Sequence, residues 1–300
     1  MIHNKKQIIW LVLGVFFILS IIGYRFLKPG PVEGQAYVLE KGIVYGKGSD
    51  TKLKLDLARP ASEKGPFPAL VFIFGGSWSI GSRAQFYSGI IEAAERGYVA
   101  VAVDYRLTRV KENGKPKYPF PAQVHDVKCA VRWLRANAKK YKIDPSRIGA
   151  VGWSSGGHLA LMLGLTDSSH GLEGECGNSE FSSRVQAVVS LAGPTELSSL
   201  FHGTGSSPIV DLLGGTPEEV PERYKAASPL TYVSKDDPPV LSIQGDTDLL
   251  VSPKQAELLD AKMKEAGASH TLILRKGVGH WNFWYDKAVL DFFDKVFELL

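Results

Sequence analysis

Six short apolar runs, separated by stretches of helical period, constrain this chain more than any other feature: Ala69–Phe74, Val99–Val103, Ile148–Val151, Ala187–Leu191, Val240–Ile243 and Leu272–Leu274. None alternates polar with apolar residues. A strand that is apolar on both sides needs cover on both sides, which is the situation of a parallel sheet between two helix layers. Lys52–Leu57 differs. Its leucines at 53, 55 and 57 alternate with polar residues, so this strand keeps one solvated face.

The intervening segments read as helices. Val127, Val131, Leu134 and Ala138 share one face of a helix from about Ala122 to Lys140. A second begins with Ser252 as N-cap, Pro253 in the first turn and Gln255 as capping partner, and ends at Gly267. The last carries Val289, Phe292, Phe293, Val296 and Leu300 on one stripe. This alternation predicts an α/β fold, a doubly wound and mostly parallel twisted sheet with helices on both faces. The expected catalytic domain runs from 38 to 300, after a Pro- and Gly-containing linker at 29–37. The least regular stretch, Thr195–Pro239, is rich in Ser, Gly and Pro and is expected to form part of a lid.

Residues 1–28 read as a membrane anchor or signal segment. Ile8–Tyr24 is an uncharged apolar run flanked by Lys5, Lys6, Arg25 and Lys28, with Trp10 and Tyr24 near its ends. Its helical length, roughly 26 Å, is at the lower limit for crossing a bilayer. The small residues Gly34 and Ala36 come late for a cleavage site, which favours a retained anchor with the domain outside the cytoplasm; cleavage would release it instead.

A net charge of +4, spread along the chain with no basic run interleaved with aromatics, gives a nucleic-acid partner nothing to rest on. Of the two cysteines, Cys129 lies in an apolar helical stretch and reads as a buried small hydrophobe, and Cys176 falls in a Gly-rich loop. Whether they pair is a question of geometry. No Cys, His and acidic cluster has metal-ligand spacing, so neither metal nor cofactor is expected.

Gly152-Trp153-Ser154-Ser155-Gly156 matches G-x-S-x-G directly after one predicted strand and before one predicted helix. That setting is a nucleophile elbow, in which a strained turn lifts the serine hydroxyl clear of the sheet. The hydroxyl needs an adjacent base, and the base needs a carboxylate to set its tautomer. His280, in a Gly-rich loop after the last strand, and Asp248, just past Val240–Gln244, supply both in the chain order of this fold. Asp246 and Glu196 are the competing acids. Phe74-Gly75-Gly76-Ser77-Trp78 follows another strand, and the amides of Gly75, Gly76 and Ser155 are the candidate oxyanion donors. Trp78 and Trp281 are the candidate substrate-binding residues.

These segments resemble the bacterial α/β-hydrolase carboxylesterases related to feruloyl esterases and to the hormone-sensitive-lipase-like group. The likeness spans Val38–Leu300 and rests on Gly75–Trp78, Asp104-Tyr105-Arg106-Leu107, Tyr118-Pro119-Phe120-Pro121-Ala122, the elbow through His158, Asp248 and His280. It implies an esterase without metal or organic cofactor acting on small or sugar-linked esters, with Tyr105, Arg106 and Asp126 as structural residues near the site. Relatives usually begin the oxyanion segment with His-Gly-Gly-Gly; here Phe74 and Ser77 depart from it. Rival readings are an arylformamidase or other amide hydrolase, and a catalytically silent binding module.

Overall fold

A computed structural model describes residues 36–62, 64–201, 208–281 and 283–299. The expected anchor at 1–28 and most of the linker lie outside the described residues, as does Leu300 of the last helical stripe. Among the described residues no helix is long and apolar enough to cross a membrane.

Eight strands form one sheet: β1 (Tyr37–Gly48), β2 (Thr51–Pro60), β3 (Phe67–Ile73), β4 (Val99–Val103), β5 (Ile143–Trp153), β6 (Ala187–Leu191), β7 (Val240–Gly245) and β8 (His270–Arg275). Their order is β1-β2-β4-β3-β5-β6-β7-β8. Only β2 runs against its neighbours; the pairings from β4 to β8 are all parallel. β3, β4 and β6 are apolar and buried on both faces, as their unbroken runs require. β2 keeps its leucines inward. β1 has no predicted counterpart, because its residues are mostly half-exposed and its register shifts twice against β2.

The helices that matter for the site are α1 (Tyr87–Glu95), α2 (Ala122–Ala136), α3 (Ser155–Leu165), α4 (Lys254–Ala266) and α5 (Ala288–Val296). α2 ends four residues before the sequence expectation, because Asn137 leaves helical geometry and accepts no continuation beyond a separate turn at Ala138–Tyr141. α4 ends as expected with Gly267 in the left-handed region. Gln255 does not serve a capping box. It is buried, takes the Thr195 and Glu196 amides at 2.7 Å each and donates to Ser199 Oγ, so it fastens the loop after β6.

Cys129 is not a free hydrophobe. It forms a disulfide with Cys176, closing a span of 47 residues, and nearby Lys128 and Arg132 both grip Glu173 of the same loop. One face of α2 thus carries a covalent and two ionic ties to a segment with no regular structure of its own. The Thr195–Pro239 stretch folds into short helices at Pro208–Leu213 and Pro221–Ala227 and a 3-10 turn at Pro229–Tyr232. Residues 202–207 within it lie outside the described set.

The register sets the position of the site. Ile73, Gly152, Ser190, Ser242 and Leu272 lie in one row across β3, β5, β6, β7 and β8. Chain leaving any of these parallel strands therefore emerges at the same edge. The order reverses around β3 and β5, the switch point where open α/β sheets leave a crevice.

Candidate active site

Ser154 sits between β5 and α3 with φ 55° and ψ −122°. This backbone is costly for a residue with a Cβ, and the surroundings hold it in place. Ser154 N–H donates to Leu191 O at 2.8 Å and its carbonyl accepts from His158 N–H at 3.0 Å. The turn closes only because its flanks are glycine. A Cβ on Gly156 would lie 2.0 Å from Ile73 O, and one on Gly152 2.1 Å from Gly156 O.

The loop after β8 brings His280 Nε2 to 2.9 Å from Ser154 Oγ. Its Nδ1 lies 2.7 Å from Asp248 Oδ2 in the loop after β7. An ionised carboxylate only accepts, so Nδ1 carries the proton and Nε2 is left free to accept from the serine. Asp248 is 3% exposed and fully bonded. Oδ1 accepts from the Leu250 and Val251 amides at 2.9 Å each, and Oδ2 also accepts from Gln244 Nε2 at 3.0 Å. Burial alone would push the Asp248 carboxyl up; the His280 contact and the two amides outweigh it and hold it below the usual carboxylate range. The competing acids are engaged elsewhere. Asp246 accepts from the Gly277 amide, and Glu196 closes its own turn with the Ser198 and Ser199 amides.

The oxyanion expectation needs one correction. Gly75 N–H donates to Gln85 Oε1 at 2.8 Å and is not available to a substrate. Gly75 is required for contact instead, since a Cβ there would meet Trp153 O at 2.7 Å and Ser154 Cβ at 3.2 Å. The Gly76 and Ser155 amides take no acceptor among the described residues, and neither does that of Ser77, which the sequence reading had not included. Ser155 N–H also opens α3, where the helix dipole favours negative charge.

Trp78 is corrected as well. It is 4% exposed, and its Nε1–H donates to His158 Nδ1 at 3.1 Å, so it belongs to the core and not to a pocket wall. Trp281, beside His280, is 60% exposed, and Leu249, beside Asp248, is 93% exposed. Together they give the rim an apolar character. Sequence reasoning missed Trp153, whose ring lies 5.5 Å from that of His280, and missed Gln85 and Gln244. Gln244 had a readable signal, because a glutamine in an apolar buried strand must find partners. Gln85 had none.

Arg106 and Asp126, carried over as structural residues, form a buried pair at 2.7 Å; Asp126 also takes the Arg106 amide at 2.8 Å. Tyr105 stacks on Phe74 at 4.2 Å and donates to Phe74 O at 3.1 Å.

A second Ser–His–Asp set shows why residue types alone do not make a site. His270 Nε2 lies 2.9 Å from Ser242 Oγ, and its Nδ1 2.9 Å from Asp260 Oδ1. Yet Ser242 is buried in mid-strand, with no elbow and no helix N-terminus aimed at it. This set ties β7, β8 and α4 together.

The buried histidines make stability pH-dependent. Burial drives His158 down from 6.5 to about 4, against a smaller opposing effect of its bond to Ala227 O. It drives His270 down too, against Asp260. The unfolded chain binds these protons near pH 6.5 and the folded chain does not, so stability is full above that pH and falls as pH drops towards 4. His158 alone is expected to cost about 2–3 kcal/mol between pH 7 and pH 4.5. Urea unfolding at the two pH values measures this, and His158→Gln should show a shallower difference than the parent chain.

A mostly parallel sheet of this order, with a serine in a strained strand–helix turn after β5, a carboxylate after β7 and a histidine after β8, defines the α/β-hydrolase class. The BD-FAE family model matches residues 55–263, and the chain belongs to that family. It is 31% identical over 259 residues to esterase LipC of Mycobacterium tuberculosis, an alignment covering 84% of this chain and 62% of LipC. It is 26% identical over 277 residues to the isoprenylcysteine alpha-carbonyl methylesterase ICME of Arabidopsis thaliana, covering 87% and 60%. The chain thus spans about three-fifths of the length of these curated relatives. Among solved structures, a truncated carbohydrate esterase from gut microbiota matches with TM-score 0.78 and 31% identity, over 89% of this chain and 99% of that one. A thermophilic esterase of Thermogutta terrifontis matches with TM-score 0.68 and 30% identity, over 91% and 93%.

Proposed function

We propose that this chain is a serine carboxylesterase that cleaves short acyl or aryl esters, free or carried on a sugar, through an acyl-enzyme intermediate. One observation carries the reading: Ser154 Oγ, His280 and Asp248 stand in hydrogen-bonded sequence at the edge where the oxyanion loop and the N-terminus of α3 also meet. Ser154 attacks the ester carbonyl while His280 Nε2 takes its proton. The Gly76, Ser77 and Ser155 amides receive the oxyanion. His280 then protonates the departing alkoxide, and water activated by the same nitrogen releases the acid and restores Ser154. The exposed Trp281 and Leu249 favour apolar substituents on the ester, and the esterase names of the relatives favour this bond over an amide.

The apolar run at 8–24 and the Cys129–Cys176 bridge also support a domain that works outside the cytoplasm, tethered by residues 1–28 or freed by cleavage.

A fluorophosphonate probe is expected to label the chain at Ser154 and to block hydrolysis of p-nitrophenyl acetate in proportion. No labelling and no turnover would leave a silent module as the reading. Faster cleavage of an anilide than of the matching ester would move the chain to amide hydrolysis.

A further inference from the structure

Phe74, at the start of the oxyanion segment, has no side-chain hydrogen-bonding group, so other residues must hold the loop. The backbone there is strained. Ser77 and Trp78 adopt φ of 52° and 57° in succession, which non-glycine residues rarely do. Such a conformation persists only where its neighbours over-determine it. Gln85 holds the loop's start through Gly75 N–H, and Thr108 N–H holds the Trp78 carbonyl at 3.0 Å. Within the loop, Gly76 O accepts from the Ser79 and Ile80 amides at 3.0 Å each, and the Trp78 side chain adds a tie to another element, reaching across to α3.

We propose that His158 is a positioning residue for the oxyanion loop, acting through Trp78. His158 lies one helical turn after Ser154 on α3, and its own amide caps the Ser154 carbonyl at 3.0 Å. Its Nε2 donates to Ala227 O at 2.7 Å, which fixes the proton on that nitrogen and leaves Nδ1 to accept from Trp78 Nε1–H at 3.1 Å. The rings meet edge to face at 5.2 Å. The imidazole is thus clamped by the Pro221–Ala227 helix on one side and clamps the loop on the other. It belongs to the same helix whose first amide, on Ser155, is one of the oxyanion donors. Backbone packing of Gly75 and Gly156 brings the loop and α3 together, and this side chain ties the Ser77–Trp78 end of the loop to that helix. His158 touches neither substrate nor reacting atoms. It governs where Gly76 and Ser77 stand relative to Ser154.

The inference rests on the esterase reading, and the experiment separates the two. His158→Phe removes the acceptor while filling the space; Trp78→Phe removes the donor and leaves the helix untouched. At pH 8 and well below the melting temperature, each folded variant is expected to lose about 10- to 100-fold in kcat with KM within a factor of three, since a misplaced donor is felt in the transition state. Affinity for a trifluoromethyl ketone, whose adduct with Ser154 places an oxyanion in the hole, should fall by a similar factor. The double variant should be no worse than the worse single one, and His158→Gln, which keeps an acceptor and a donor, should recover part of kcat. A role confined to stability would lower the melting temperature and leave kcat and ketone affinity unchanged, and that result in either folded variant overturns the inference. Should both fluorophosphonate labelling and ester turnover be missing from the parent chain, the esterase reading fails and this one with it.

Discussion

Ser154→Ala is expected to lower kcat for p-nitrophenyl acetate by about a million-fold, with the melting temperature almost unchanged. In a hydroxyl–imidazole–carboxylate unit the nucleophile is not replaceable, and its removal costs nearly as much as removal of the whole unit. The oxyanion donors survive the substitution, so hydrolysis stays above the uncatalysed rate. Fold stability is untouched because alanine keeps the Cβ that already pays the strain at φ 55°, and only the bond from Oγ to His280 disappears. Ser242→Ala is the internal control. That serine faces an equally well placed histidine, but removing its hydroxyl strands a buried His270 nitrogen, at about 1–3 kcal/mol of stability, and leaves turnover near that of the parent. Assayed side by side, the two alanine variants should exchange no symptoms. An active Ser154→Ala enzyme would refute the assignment.

The two sets differ in what the sequence makes visible. Ser154 stood out because glycine crowding, a preceding apolar strand and a following helix are local properties. Asp248 and His280 stood out because parallel strands deliver their following loops to one edge, so position after a strand is already position in space. The candidate oxyanion donors were only half readable. Gly75 and Gly76 look alike in sequence, and what separates them is Gln85, ten residues away and met only after the chain has turned. Trp78 was misread for a related reason. An aromatic next to a reactive loop reads as a pocket wall until its indole is seen bonded to His158 in the core.

At the level of the fold, residues buried on two sides announced themselves and residues buried on one side did not. β1 lies at the sheet margin with most of its side chains half-exposed, so it showed no period to read. The disulfide was hidden because Cys129 lies in a helical stretch rich enough in apolar residues to read as core, and its partner lies in a loop whose path is set by Lys128 and Arg132. These are long-range ties with no counterpart in spacing. Gln255 followed the capping pattern and was drawn into a different set of bonds, because the loop after β6 had unpaired amides that needed it more than the helix end did.

Asp248→Asn is expected to cost about ten-thousand-fold in kcat while preserving the geometry of all three side chains. The carboxylate accepts from four donors: the Leu250 and Val251 amides, Gln244 Nε2 and His280 Nδ1–H. An amide of the same shape offers one oxygen. If that oxygen stays with the two backbone amides, the new NH2 group faces His280, and Nδ1 must turn from donor to acceptor. The imidazole proton then moves to Nε2, which can no longer take the proton of Ser154. If the amide flips, its NH2 group faces two backbone N–H groups that cannot move, a buried clash of donors costing about 1–3 kcal/mol. The first arrangement sets the new NH2 group against one donor, Gln244 Nε2, on a side chain that can turn, and the second against two backbone donors that cannot; the first is therefore the cheaper, and it is the inactive one. Labelling by a fluorophosphonate should slow in parallel with turnover, because both need Nε2 as a base, whereas the affinity for a neutral product acid should hold. Turnover within tenfold of the parent chain, in a variant whose fold is intact, would mean that Asp248 neither sets the tautomer nor supports the imidazolium, and the acid would have to be sought elsewhere.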